Sequence, residues 1–279
     1  MKLVSLAKQS VLGSVLLLGS VAMGAVPATT KTSSGWNTFK KNSSLDIYAE
    51  FTGPALGAIR FDQPSEKGPA TGGAYAGYSR LRYRYSIVDK LKFFIEFPRI
   101  VYSINPEEPI ALLDSRIGLS TGNILDSDTW SISFAGFLEP PSSPDSIKAG
   151  TKILSARAAA NLGYSNGGLS LGLSSFLQGY AYTSTTHESK LFFVYFNPNL
   201  TYSFNSYFSL GVSYDITLDG LNDTTKSFLE YSGSNLDLQA TIQAKSGKFA
   251  VTPFLRMFPS RQLSLDMTQI GAYMTATLF

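Results

Sequence analysis

Three arginines occupy alternate positions of one short segment: Arg80, Arg82 and Arg84. In an extended chain, residues i, i+2 and i+4 share a face. The three guanidinium groups then form a ladder roughly 13 Å long, at about 3.3 Å rise per residue. Such a ladder has two chemistries. On a confined wall it attracts anions and orients dipolar solutes, since guanidinium pairs well with carboxylates and phosphates. Alternatively, carboxylates on flanking segments neutralise it as cross-strand ion pairs. Asp46 and Glu50 lie on one side of the ladder in sequence and Glu96 on the other. Both readings stay open. The same polar face collects Lys92, Arg116, Arg157 and Arg256 as cations, and Asp114, Asp215 and Asp237 as anions. These are the candidate residues lining and tuning an ion or solute path.

Other chemistries are excluded by composition. The 279 residues contain no cysteine, so disulfides, thiolate metal sites, cysteine nucleophiles and a lipid-modified cysteine are all absent. His187 is the single histidine, which rules out a multi-histidine metal centre. No metal or cofactor is expected. The formal charge is +3, and Lys2 and Lys8 of the leader carry two of those positives. A near-neutral remainder gives no case for nucleic acid as a partner.

The N-terminus reads as a secretory signal over residues 1–24. Lys2 and Lys8 make a basic start, Val11 to Val21 an apolar stretch, and Ala22-Met23-Gly24 a small-residue cleavage site. The apolar run is shorter than the roughly 20 residues of a spanning helix. Residues 25–43 are polar and predict a flexible lead-in, or a short plug, ahead of a β domain over 44–279.

From residue 44 the chain alternates with period two. Leu45, Ile47, Ala49 and Phe51 alternate with Asp46, Tyr48, Glu50 and Thr52; Leu169, Leu171 and Leu173 alternate with Ser170, Gly172 and Ser174. Period two is the signature of strands, whose successive side chains point to opposite faces. Turn signals divide the chain into about twelve strands, near 44–54, 73–87, 90–104, 111–122, 128–139, 150–164, 167–183, 189–204, 206–218, 227–245, 247–258 and 264–279. Ten or fourteen strands are the alternatives. Asn166-Gly167 predicts a tight hairpin, because both central positions of a type I′ turn need positive φ. Tight turns on one rim alternate with longer connections on the other, such as 55–72 and 140–149. That asymmetry belongs to outer-membrane barrels, whose short side is periplasmic.

A soluble sandwich also alternates. It is the poorer reading, because several strands reach ten residues or more, while globular strands average about 5–6. The polar face is also mostly Ser, Thr, Asn, Gln and Gly, which suits a wet lumen. The chain ends Tyr273-Met274-Thr275-Ala276-Thr277-Leu278-Phe279. With its leader, repeated hairpins and terminal Phe279, it resembles bacterial outer-membrane β-barrel proteins. The resemblance implies an all-β, antiparallel up-and-down barrel set in outer-membrane lipid, with Phe279 read by the barrel assembly machinery. It departs from that pattern in one respect. Thr277, Thr275, Tyr273 and Gly271, on the same face as Phe279, are less apolar than usual.

An arginine-lined lumen is similar to that of twelve-stranded porins for acidic oligosaccharides, which implies a pore with a slight preference for anions. Small solutes or ions are the expected partners. Phe176, Tyr180, Tyr182 and Tyr195 form either a stacking track for ring solutes or part of an interfacial girdle. A closed barrel acting through its outer loops is the alternative, with loop 55–72 the longest. His187-Glu188-Ser189 resembles the spacing in outer-membrane phospholipases. That resemblance implies His187 as base, Ser189 as nucleophile and Asn197 or Asn199 as orienter. The match is short, and no enzyme is expected.

Overall fold

The computed structural model describes residues 42–55, 76–103, 110–125, 127–149, 151–183, 190–221, 230–259 and 268–279. The leader, the lead-in, most of loop 55–72 and the His187/Ser189 pair lie outside the described residues. The strands are β1 (Ser43–Ala55), β2 (Ala76–Val88), β3 (Leu91–Glu96), β4 (Arg99–Ser103), β5 (Ile110–Leu113), β6 (Arg116–Thr121) and β7 (Trp130–Glu139). After a short helix, α1 (Pro144–Ala149), come β8 (Lys152–Asn166), β9 (Leu169–Tyr182), β10 (Lys190–Ser203), β11 (Phe208–Leu221), β12 (Glu230–Gln243), β13 (Phe249–Met257) and β14 (Gln269–Thr277).

All pairings are antiparallel, and β1 pairs with both β2 and β14, which closes the sheet. β3 and β4 together form one stave of the wall, as do β5 and β6. The closed barrel therefore has twelve staves. The first break has a local cause. Proline has no N–H to donate, and Pro98 separates β3 from β4. Between the pairs Arg82↔Glu96 and Ser79↔Ile100, β2 has two residues and its partner has three. This is a β-bulge. Phe97 and Pro98 both turn to the exterior there. The bulge reverses which residues face inward, so Glu96 and Arg99 both point into the barrel.

The hairpin after β8 turns on Gly167 and Gly168, with φ of 56° and 88°. The turn sits one residue later than Asn166-Gly167. Two glycines take both positive-φ positions without the Cβ penalty that Asn166 would meet, so Asn166 completes the strand.

Burial is inverted relative to a soluble sandwich. Among the described residues the buried hydrophobic side chains are Phe94 and Phe254, while Glu96, Asp114, Arg116, Glu139, Gln178 and Asp237 are buried polar groups. The outer face exposes Ile47, Phe51, Phe134, Leu162, Leu171, Leu173, Leu210 and Leu238. Aromatic residues gather at the short-turn rim. Trp130 meets Tyr164 at 5.0 Å, and Phe204 sits between Tyr202 and Phe208 at 5.0 and 5.6 Å. An apolar band with an aromatic girdle and a polar interior is a wall built to span lipid.

One close approach fixes the wall beside the arginines. A Cβ on Gly118 would lie 2.2 Å from the Gly136 carbonyl oxygen and 2.8 Å from the Phe94 ring. Phe94 and Phe137 meet edge-to-face there, with centroids 6.3 Å apart. Gly118→Ala is expected to destabilise the barrel by about 1–3 kcal/mol through overpacking, measured as the urea midpoint of protein refolded in lipid. Gly122→Ala, where an added methyl has its nearest neighbour at 4.0 Å, should leave the midpoint unchanged. Equal midpoints for both variants would refute this account of the packing.

Candidate functional site

The lumen has two unlike halves. The first is an ion-pair cluster on β2 to β8. Its hub is Glu96, whose side chain is 0% exposed. Glu96 accepts hydrogen bonds from Arg82 Nε at 3.0 Å and Nη2 at 2.6 Å, and from Arg116 Nη1 at 3.1 Å. Arg80 and Arg99 each approach it to 3.8 Å. A second hub is Glu139, which takes Arg116 Nε at 2.6 Å, Arg99 Nη2 at 2.7 Å and Lys152 Nζ at 3.0 Å.

Asp114 ties this cluster to the outer loop. It accepts Lys152 Nζ at 2.6 Å, the backbone N–H groups of Ser142 and Ser143 at 2.7 Å each, and the Ser146 hydroxyl at 2.7 Å. Ser143 in turn caps α1, its Oγ accepting the Ser146 N–H at 3.2 Å. Pro144 follows at the first helical position.

The arginine ladder is therefore largely engaged. Arg84 pairs with Asp46 at 2.6 Å across β1 and β2, and Arg82 pairs with Glu96. Arg80 is the loosest member, lying over the Tyr48 ring at 4.7 Å. Lys92 shares the inward face of β3 with Phe94 and Glu96, nearer the short-turn rim. Arg157 donates through Nε to Gln178 Oε1 at 2.8 Å and lies 3.7 Å from the Phe176 centroid. It has no carboxylate within ion-pair distance among the described residues.

The second half of the lumen is open. A cavity of about 460 Å³ is lined by residues of β1 and of β9 to β14. Here Arg256 donates to Asp237 at 2.8 and 2.9 Å and to Glu50 at 3.2 Å. Asp215 accepts the Tyr195 hydroxyl at 2.5 Å and the Asn197 amide. Asn197, Asn199, Ser213 and Gln239 complete a polar wall. Tyr195 stacks on Phe176 at 4.7 Å, and Tyr180 on Tyr182 at 6.2 Å. All four of these rings belong to the lumen face, not to the girdle.

Arg99 and Lys152 were missed in the sequence because bulges reverse the alternation beside them. The pairs Lys152↔Tyr182 and Leu154↔Ala181 mark the second bulge. Glu139 was readable: it shares its face with Ser131 and Ser133 but abuts the Pro140-Pro141 loop.

A buried carboxylate surrounded by guanidinium groups leaves them uncompensated when it is neutralised. Glu96→Gln is expected to lose about 3–5 kcal/mol in urea unfolding. Asp46→Asn removes the more exposed Arg84 pair, side chains 36% and 19% exposed, and should lose about 1 kcal/mol or less. Equal losses would remove Glu96 from its place as the hub.

No family profile matches the sequence, and no curated protein matches it. Among solved structures the chain is similar to an outer membrane channel from Pseudomonas putida F1. The identity is 10%, the alignment covers 91% of this chain and 100% of that one, and the TM-score is 0.55. A second similar structure is OmpF of Salmonella typhi in complex with daunomycin, at 9% identity, 86% and 99% coverage and a TM-score of 0.40. The first likeness establishes a shared fold.

Proposed function

We propose that this chain is an outer-membrane pore through which ions and small hydrophilic solutes cross passively. The carrying observation is the polar cavity of about 460 Å³ inside a closed barrel whose exterior is apolar. Twelve strands enclose a lumen between the side-chain-filled interior of about eight and the open channel of 16–18. The ion-pair cluster occupies one side of that lumen, so the pore is narrow. Its fold-mate from Pseudomonas putida is an outer membrane channel, which fits this reading.

Residues 1–24 serve as the export signal, and Phe279 as the mark read by the barrel assembly machinery. Phe279 follows the last strand and is 49% exposed at the short-turn rim. The pairing of Arg82 and Arg84 gives the ladder a bracing role alongside any influence on passing ions. Arg80, Arg157 and Lys92 are the cations with charge left to act on anions.

The test is single-channel recording of the refolded chain, without residues 1–24, in planar bilayers. Discrete conductance steps are expected. An Arg80/Arg82/Arg84→Ser variant should still conduct and give larger steps, because three long side chains leave the lumen. Folded, closed barrels without current would overturn the pore and leave a protein acting through its outer loops.

A further inference from the structure

Three tyrosine–carboxylate pairs converge on the open half of the lumen. Tyr48 donates to Glu50 at 3.1 Å, Tyr195 to Asp215 at 2.5 Å and Tyr273 to Asp237 at 2.7 Å. All six residues line the same cavity. A phenol or amide donor hydrogen-bonds a carboxylate without cancelling its charge. One guanidinium, Arg256, serves both Glu50 and Asp237. Asp215 has only neutral donors, Tyr195 and Asn197, and no basic side chain within ion-pair distance among the described residues. The cavity lining is therefore three carboxylates against one arginine.

Bases outnumber acids over the lumen face as a whole, but most of the excess stands on the β2–β8 arc, from which Arg80 reaches the Tyr48 ring of the cavity lining at 4.7 Å. There Glu96, Arg99, Arg116 and Glu139 bury one another, and room for a hydrated ion is on the acidic side. Interactions between exposed charges fade over about 8–10 Å at physiological salt, so an ion in the cavity responds most to the wall beside it. We infer that the open half of the lumen is a cation path and that Asp215 fixes the sign of the pore's charge selectivity. This rests on the pore reading above and reverses the anion preference that the ladder suggested in the sequence.

The experiment is the reversal potential of the refolded barrel in a tenfold KCl gradient, for wild type, Asp215→Asn and Asp215→Glu. Wild type should pass K⁺ in preference to Cl⁻. A unit charge several ångströms from an ion in water contributes about one RT before screening, so Asp215→Asn should lower the K⁺/Cl⁻ permeability ratio by about threefold. Asp215→Glu should restore the ratio. Channels that prefer Cl⁻ would overturn the cation path while leaving the pore intact. K⁺ preference unchanged in Asp215→Asn would remove Asp215 from its role. If Asp215→Asn gives no channels, the wild-type sign and the ratio in Asp215→Glu decide the matter. Absence of current from every folded variant, wild type included, would be a failure of the pore reading itself.

Discussion

Hydrocarbon offers no hydrogen-bond partners, so a sheet inside it has to close on itself. The pairing of β1 with β14 meets that demand, with register from Asp46↔Thr277 to Ala55↔Gln269. Most other features follow from it. Closure brings the two ends of the domain side by side on one rim, where the Leu278 N–H donates to the Leu45 carbonyl at 2.8 Å. It also sets Asp46 between Thr277, which donates to it at 2.9 Å, and Arg84 on β2. One carboxylate thereby joins the first, second and last strands on the inner surface.

Closure also assigns the two faces of every strand, and the alternation in the sequence states that assignment directly. For this reason the staves, the unequal rims and the inward charges Arg82, Arg84, Glu96 and Asp237 were legible. What escaped was whatever broke the period. Arg99 and Lys152 sit beside bulges, and a bulge shifts every later residue to the other face. Pro98 signalled the first break, since proline cannot donate to a neighbouring strand. The bulge at β8 has no such marker. Gly167-Gly168 offered two glycines next to an Asn-Gly pair, and the choice between the two frames was set by positive φ at both positions. The open cavity was not legible at all. It depends on which long side chains fold onto neighbours, and alternation is silent about that.

The ion cluster is a poor device for stability alone. Burying charges forfeits their hydration, and apolar side chains of like volume often serve as well. Its placement argues for a positional role. Glu96 and Glu139 between them hold arginines from β2, β4 and β6, strands whose direct pairing is interrupted near Pro98 and at Asp114-Ser115. Where backbone hydrogen bonds lapse, charged side chains join the staves. Asp114, in that second gap, reaches beyond the wall to fasten α1 through Ser142, Ser143 and Ser146. The outer loop is anchored by the same irregularity that interrupts the sheet.

The asymmetry of the lumen then has a single origin. Had the alternation continued past Glu96, Arg99 would face lipid and Pro98 the interior. The bulge at Phe97-Pro98 exchanges them, delivering a cation to the Glu96–Glu139 cluster and Pro98 to the membrane face. Glu139 would otherwise meet one arginine fewer. With Arg99 in place, the β2–β8 arc condenses into a mutually buried block. The β9–β14 arc lines the cavity with short polar side chains, among them Ser174, Asn197, Asn199, Ser213 and Gln239, which cannot reach across the lumen. The contrast in side-chain length between the two arcs sets the cavity against that wall.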